Sequence, residues 1–473
     1  MLRSQEPTNN QQLTTHPGEA FLAAGLGLCY TQIEMSKETS GKWPRHRQAL
    51  AAIFAGFVIL SLASSFSTRL KYGPDEPAHF IYIRCIAQDF RLPEISHRIT
   101  PTEDFRATHQ AQHAPLYYAL AAIPFFVLER LGAGGETIWR AMRLFTIILG
   151  LGWVYFTYRL ANEFFGGEYG LTLAATGVVA FLPIATYMSG VINNDVLVAA
   201  LFTCALWMIL AGIRRNGFSR KAAVWLGAVM GLAILTKAQG LTLVPTLLIA
   251  ALVIARRNHW RSLRSLVGSI FISLGVAAAL SGWWFVRNQL VYGAPMVQSL
   301  MNPMTPVDPL TLALTPSVWV PLVWFVSKQL FMYFWTPFWL LKPFVSADIY
   351  FVKLLVLCTV GLGGCALQML RPRAREGHSG GAASYLILAL PAAMIYALTV
   401  YNSIFVDRGL LQQGRIFLPM AACLAVWVAS GYRRLAWSPK AVDVITAAVV
   451  LTPLMANIMT LYWIRLFYTI IEP

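Results

Sequence analysis

Long apolar runs separated by short polar stretches recur from Ala49 almost to the end of the chain. A bilayer core about 30 Å thick asks for roughly 20 residues of helix at about 1.5 Å rise each, and the runs approach that length. The pattern predicts spanning helices over Ala49 to Phe66, Ala141 to Ala161, Leu171 to Gly190, Val196 to Ile213, Ala222 to Thr236, Leu241 to Ala255, Ser265 to Phe285, Ile349 to Leu370, Tyr385 to Val400, Ile416 to Ser430 and Val442 to Trp463. Two segments are ambiguous: Leu116 to Leu131, which as a helix reaches only about 24 Å, and the tryptophan-rich Ser317 to Leu341. The fold class that follows is an all-α polytopic membrane protein.

Charge decides which segments cross. Lys and Arg gather on the cytoplasmic side of membrane helices. Here they cluster at Arg45 and Arg47; at Arg214, Arg215, Arg220 and Lys221; at Arg256, Arg257, Arg261 and Arg264; at Arg371, Arg373 and Arg375; and at Arg433, Arg434 and Lys440. Every cluster falls on one side only if neither ambiguous segment crosses. Leu116 to Leu131 then becomes an interfacial helix in a large outer loop, residues 67–140, and a second outer region runs from Arg287 to about Asp348. About 11 spans are expected, with the N-terminus inside and the C-terminus outside. Residues 1–48 read as a disordered cytoplasmic tail, residues 49–300 as a transmembrane module including the outer loop, and residues 301–473 as a C-terminal transmembrane module. The tail's apolar piece, Phe21 to Tyr30, is too short to span and lacks the flanks of a signal peptide. Met35 is a second candidate start.

Composition agrees: 57% of the 473 residues are hydrophobic and 12% charged, with mean hydropathy +0.57. A formal charge of +16 would suit a nucleic-acid binder, but the basic clusters sit between apolar runs and record orientation instead. No nucleic-acid partner is expected. Cys29, Cys85, Cys204, Cys358, Cys365 and Cys423 show neither CxxC spacing nor a disulfide framework.

With orientation fixed by loop charge, the unusual polar residues collect on the outer face. They are Asp75, Glu76 and His79; His109 and His113; Arg140 and Arg143; Asn193, Asn194 and Asp195; Lys237; Arg287 and Asn288; and Gln412, Gln413 and Arg415. Each has a plainer reading. Asp75 and Glu76 follow Gly73-Pro74 and suit the N-terminus of a helix beginning at Pro77. Arg140 and Arg143 share a helix face and suit an anchor at headgroup level, as do the long stems of Lys237 and Arg415. Asp195 suits a helix cap, His109 and His113 have a weak metal-pair spacing, and Trp319, Trp324, Trp335 and Trp339 suit an aromatic belt. Taken together, an acid pair beside several cations at a bilayer edge suits a lipid-anchored phosphate. Arg and Lys bind its oxygens and stabilise the charge that develops as it leaves, while a carboxylate takes a proton from an attacking hydroxyl. No Gly-rich phosphate loop in a strand-helix context is present for nucleotide-sugar chemistry.

The motifs resemble those of the GT-C-fold glycosyltransferases that use polyprenyl-phosphate-linked sugars, the superfamily of protein O-mannosyltransferases and the lipid A aminoarabinose transferases. The pieces are Pro74-Asp75-Glu76, His113-Ala114-Pro115-Leu116-Tyr117-Tyr118, Arg140-Ala141-Met142-Arg143, Asn194-Asp195, Leu235-Thr236-Lys237 with Gly240, Gly282-Trp283-Trp284 with Arg287-Asn288, Tyr292-Gly293 and Gln413-Gly414-Arg415, in order from about Ala49 to Arg415. The last three are most similar to bacterial relatives. Two departures stand out: Ala114 where the family has a proline before Pro115, and Val196 after Asp195.

The resemblance implies a GT-C-like bundle with interfacial helices in the first outer loop. It implies Asp75 as the catalytic base and Glu76 as the neighbouring acid. Arg140, Arg143, Lys237, Arg287 and Arg415 would contact the donor phosphate, with His79, His113, Tyr117, Asp195, Asn288 and Gln413 as acceptor-side or supporting residues. No metal or other cofactor is expected. The activity implied is inverting transfer of a sugar from a polyprenyl-phosphate donor to a glycan, lipid or protein acceptor on the outer side of a bacterial cytoplasmic (inner) membrane. The rival is a transporter or flippase of lipid-linked glycans, which calls for broken helices at midplane and often an internal repeat.

Overall fold

The computed structural model describes residues 45–95, 109–261, 263–297, 315–335, 359–367, 381–402, 414–436 and 438–471, and among them every regular element is helical. The helices are α1 Arg45–Ser67, α2 Glu76–Asp89, α3 Leu116–Arg130, α4 Gly135–Phe165, α5 Tyr169–Phe181, α6 Pro183–Ser189, α7 Asp195–Arg214, α8 Arg220–Ile234, α9 Leu243–Arg257, α10 Leu263–Tyr292, α11 Pro316–Trp335, α12 Ala382–Tyr401, α13 Ala421–Leu435 and α14 Pro439–Leu466. Eight stretches among the described residues are long and apolar enough to cross a bilayer, or nine if the bent pair α5 and α6 counts as one span. Two of the about 11 expected spans are not among these. The run Ala222 to Thr236 forms the 15-residue α8, and Ile349 to Leu370 lies largely outside the described residues. The segment expected at the interface forms α3, 15 residues long, and it packs with α2 against α4 through Tyr82, Tyr118, Phe125 and Met142. The aromatic Ser317 to Leu341 is described as far as Trp335, as α11.

The run Leu171 to Gly190 is not straight. Pro183 supplies no N–H, and the chain bends by 57° between α5 and α6. In hydrocarbon a freed carbonyl is costly. Asn457, buried on α14, donates to the Phe181 carbonyl at 3.0 Å and to Thr186 Oγ1 at 2.8 Å. The central helix α7 is buried along nearly all its length, 89% of its apolar window, and a large core cluster joins it to residues of α4, α5, α9 and α13. Close approach of α8 to α10 depends on Gly231, where an added Cβ would lie 3.0 Å from the Ala277 carbonyl, the small-residue device of membrane helix pairs.

The bundle has two unlike ends. At one end Arg214 pairs with Glu163 at 3.6 Å and Arg433 with Glu168 at 3.4 Å. Asn258 donates to the Asn216 carbonyl there. At the other end of α7, about 30 Å away by helical rise, lie Asp195 and the loops that carry the expected site.

Candidate functional site

Four segments far apart in sequence are tied together at this second end. The Leu116 N–H donates to the Leu235 carbonyl at 3.1 Å, joining the start of α3 to the hairpin tip between α8 and α9. Asn194 Nδ2 donates to the Thr236 carbonyl at 3.4 Å, and Gln239 Nε2 to the Ile416 carbonyl at 2.8 Å. The 3-10 turn Gly414–Met420 is thereby fastened to the same tip.

Asp75 precedes α2 in a left-handed conformation, φ 54°. That is a conformation Asp tolerates better than most residues. Its side chain makes no capping hydrogen bond to the helix, so the plainer sequence reading does not describe it. It is instead ion-paired to Arg415 Nη2, and Arg415 Nη1 donates to the Pro74 carbonyl at 3.3 Å. Arg415 Nε also lies 3.8 Å from Asp195 Oδ2, and Lys237 Nζ pairs with Asp195 Oδ1. The capping of α7 falls to Asn193, whose Oδ1 accepts from the Asp195 and Val196 N–H groups at 2.9 and 3.3 Å. The Asp195 carboxylate is thus left for the two cations. The result is a row Asp75, Arg415, Asp195, Lys237 in which Asp195 is buried at 2% side-chain exposure and Asp75 is open at 37%.

Glu76 occupies a different environment from its neighbour. Fully buried, it forms a two-pronged pair with Arg143, Nε to Oε1 and Nη2 to Oε2, both 2.7 Å. It also accepts from the Gly73 and Ile192 N–H groups, each at 3.1 Å. Arg143 gives its remaining donors to the Ser65, Thr68 and Arg69 carbonyls at 2.7, 2.8 and 3.0 Å. A guanidinium has five N–H donors, and all are used. Glu76, expected beside the reacting atoms, and Arg143, expected on a phosphate, therefore form a strut. The strut joins the C-terminal end of α1, the turn before α2, α4 and the loop before α7. Arg140, on the same helix as Arg143, is exposed, bonded to Glu136 and lies over the Phe66 ring. Its position matches the anchor reading rather than the phosphate reading.

His79 lies one turn after Asp75 on α2 and is 2% exposed. Its Nδ1 meets Tyr118 Oη at 2.9 Å. Burial holds the imidazole neutral, lowering its pKa to about 3, against the opposing pull of Asp75. Tyr118 stacks on Tyr82 with ring centroids 3.8 Å apart, and Tyr82 Oη donates to the His113 carbonyl at 3.2 Å. Burial pushes both phenols up in pKa. Tyr82 was not singled out from sequence, although its spacing of three from His79 places it on the same helix face. Tyr117 Oη pairs with Thr146 Oγ1 at 2.8 Å, in a supporting position.

Arg287 arrives from the end of α10. Its guanidinium lies 5.1 Å from the Trp284 ring centroid and 5.4 Å from that of Tyr292, and it donates to Asn288 Oδ1 at 3.2 Å. Among the described residues no carboxylate is paired with Arg287. Asn288 is buried and donates to the Pro295 carbonyl at 3.3 Å. Gln413 lies outside the described residues. Among the described residues no three His, Cys, Asp or Glu side chains converge in a way that could hold a metal ion.

Residues 112–284 match the sequence model of a family described as dolichyl-phosphate-mannose-protein mannosyltransferase. No curated protein matches the chain by sequence. Among solved structures, ArnT from Cupriavidus metallidurans bound to undecaprenyl phosphate aligns at 16% identity over 89% of this chain and 74% of that one, with a TM-score of 0.52. The Archaeoglobus fulgidus oligosaccharyltransferase tethered to an acceptor peptide aligns at 14% identity over 89% of this chain and 55% of that one, with a TM-score of 0.50. At such identities the likeness is one of fold, and the fold of this chain is the GT-C membrane bundle that these transferases share.

Proposed function

We propose that the chain is an inverting glycosyltransferase that moves one sugar from a polyprenyl-phosphate donor to an acceptor hydroxyl on the outer side of the cytoplasmic membrane. The observation that carries this reading is the row of charges at the Asp195 end of α7. There an open carboxylate, Asp75, shares the cation Arg415 with a buried carboxylate, Asp195, whose other oxygen pairs with Lys237. Arg287, Lys237 and Arg415 receive the donor's phosphate. Asp75 faces the acceptor. The acceptor oxygen bonds to the anomeric carbon as the bond from that carbon to the phosphate oxygen breaks. The hydroxyl proton passes to Asp75, and the electron pair departs with the lipid phosphate, stabilised by the cations.

The outer-side assignment is supported by the described basic clusters around Arg214, Arg257 and Arg433, which lie at the opposite end of the bundle, the cytoplasmic end by the charge rule. The family match and the likeness to ArnT support a lipid-linked donor, since the family is described as dolichyl-phosphate-mannose-protein mannosyltransferase and ArnT is bound to undecaprenyl phosphate. The bend between α5 and α6 is the feature a transporter would favour. Its residues Phe181, Leu182 and Pro183 are apolar, however, and the charges stand at the bundle's end.

Native mass spectrometry of the purified chain tests the proposal. The expected result is a co-purified lipid phosphate or lipid-linked sugar, together with transfer of sugar from such a donor in reconstituted membranes. Movement of the intact lipid-linked glycan across the bilayer without transfer would instead establish the rival.

A further inference from the structure

We propose that the donor's phosphate and the Asp75 carboxylate compete for Arg415, so that Asp75 is released to an acceptor only after a lipid phosphate has entered. This inference rests on the function proposed above. A guanidinium presents the same planar fork of N–H groups to a carboxylate as to a phosphate, and in this structure Arg415 has turned that fork toward Asp75 and the Pro74 carbonyl. A carboxylate held by a guanidinium is a poor proton acceptor, because the cation stabilises its charged form. The arrangement is therefore a latched one, with the base occupied by a cation that the donor needs.

The row of charges also indicates which contact gives way. Asp195 is buried and holds Lys237 on one oxygen while its other oxygen faces Arg415 Nε. Asp75 is the open member, at 37% exposure, so water can take up its charge when Arg415 turns away, whereas Asp195, at 2%, would be stranded by loss of its cations. Two carboxylates balance two cations in the row. An entering phosphate thus gains attraction from these cations only as one of them turns from its carboxylate, and Arg415 leaving Asp75 is the least costly turn. Arg287, which has no carboxylate partner among the described residues, supplies the first contact. The kinetic consequence is compulsory order, donor before acceptor.

The test is the affinity of the full-length chain in nanodiscs for undecaprenyl monophosphate, with undecaprenol as the control lipid lacking phosphate. The variants are Asp75→Asn, Asp75→Gly, Arg415→Gln and the double variant Asp75→Asn with Arg415→Gln. Asn and Gly both suit the left-handed backbone at position 75, so one of them gives a folded protein without the carboxylate. Loss of the competitor is expected to tighten phosphate-lipid binding about fivefold, with no change for undecaprenol. Arg415→Gln is expected to weaken binding, and Asp75→Asn to add nothing on top of it. Wild-type binding that is unchanged or weakened in both Asp75 variants overturns the latch alone. Failure of the wild-type chain to bind the phosphate lipid overturns the donor reading and the latch with it.

Discussion

Asp75 and Glu76 are adjacent in sequence and opposite in circumstance. Glu76 has four hydrogen-bond donors around it and no exposure, whereas Asp75 is open. Removing one partner of a fully buried ion pair leaves the other charge stranded. Glu76→Gln is therefore expected to destabilise the protein by about 3–5 kcal/mol, read as a lowered unfolding midpoint in detergent, while Asp75→Asn is expected to cost less, because Asp75 is open to water and Arg415 keeps Asp195 beside it. The acid pair was legible as a motif, but the division of labour within it was not. The partner that distinguishes them, Arg143, lies 67 residues from Glu76, and spacing within one helix says nothing of a pairing at that range.

His79 carries a further prediction. An unfolded histidine takes up a proton near its ordinary pKa of 6.5, whereas the folded one stays neutral to about 3. Between those values the unfolded state binds the extra proton, so this residue's contribution to stability is full above pH 6.5 and falls as pH drops toward 3. Thermal unfolding of wild type and His79→Gln across that window checks it, the variant being expected to show the shallower acid dependence.

At the scale of elements, the site is held by turns rather than by helix interiors. Lys237 is aimed by the 3-10 turn Ala238–Thr242, and that turn closes on the end of α8 through Gly240. A Cβ at Gly240 would stand 2.5 Å from the Ile234 backbone nitrogen, and backbone cannot rotate aside as a side chain can. Gly240→Ala is expected to displace Lys237 and raise the KM for a lipid-phosphate donor about tenfold, with a smaller effect on kcat. A uniform loss of folded protein with unchanged KM would contradict this aiming role. The bend at Pro183 yields a second prediction. Asn457→Leu leaves the Phe181 carbonyl without its side-chain donor and is expected to cost about 1–3 kcal/mol, again read from the unfolding midpoint. Helix existence was readable from apolar runs, since length and hydrophobicity are local properties. The bend in Leu171 to Gly190 was readable only as a proline within a run, and its repair by Asn457 is a contact between α14 and the bent pair, 276 residues away.

For the whole molecule, the described basic clusters around Arg214, Arg257 and Arg433 and the charge row occupy opposite ends of α7. Impermeant thiol reagents applied from outside are expected to label single cysteines introduced at positions 75 and 287 and to spare those at positions 216 and 258. Labelling of 75 and 287 from opposite sides would dissolve the site. Loop charge gives an expected orientation because it acts through the membrane as a whole and needs no knowledge of packing. The ion-pair partners within the charge row were not legible in the sequence, because packing alone chose Asp195 for Lys237 and Asp75 for Arg415. The measurement that bears most directly on the central claim is sugar transfer from a radiolabelled polyprenyl-phosphate sugar by the reconstituted chain and its Asp75→Asn variant. Loss of a general base is expected to cut turnover by a factor on the order of 100 to 10,000 while donor binding is tightened. Wild-type turnover in Asp75→Asn would contradict the assignment of Asp75 as the base.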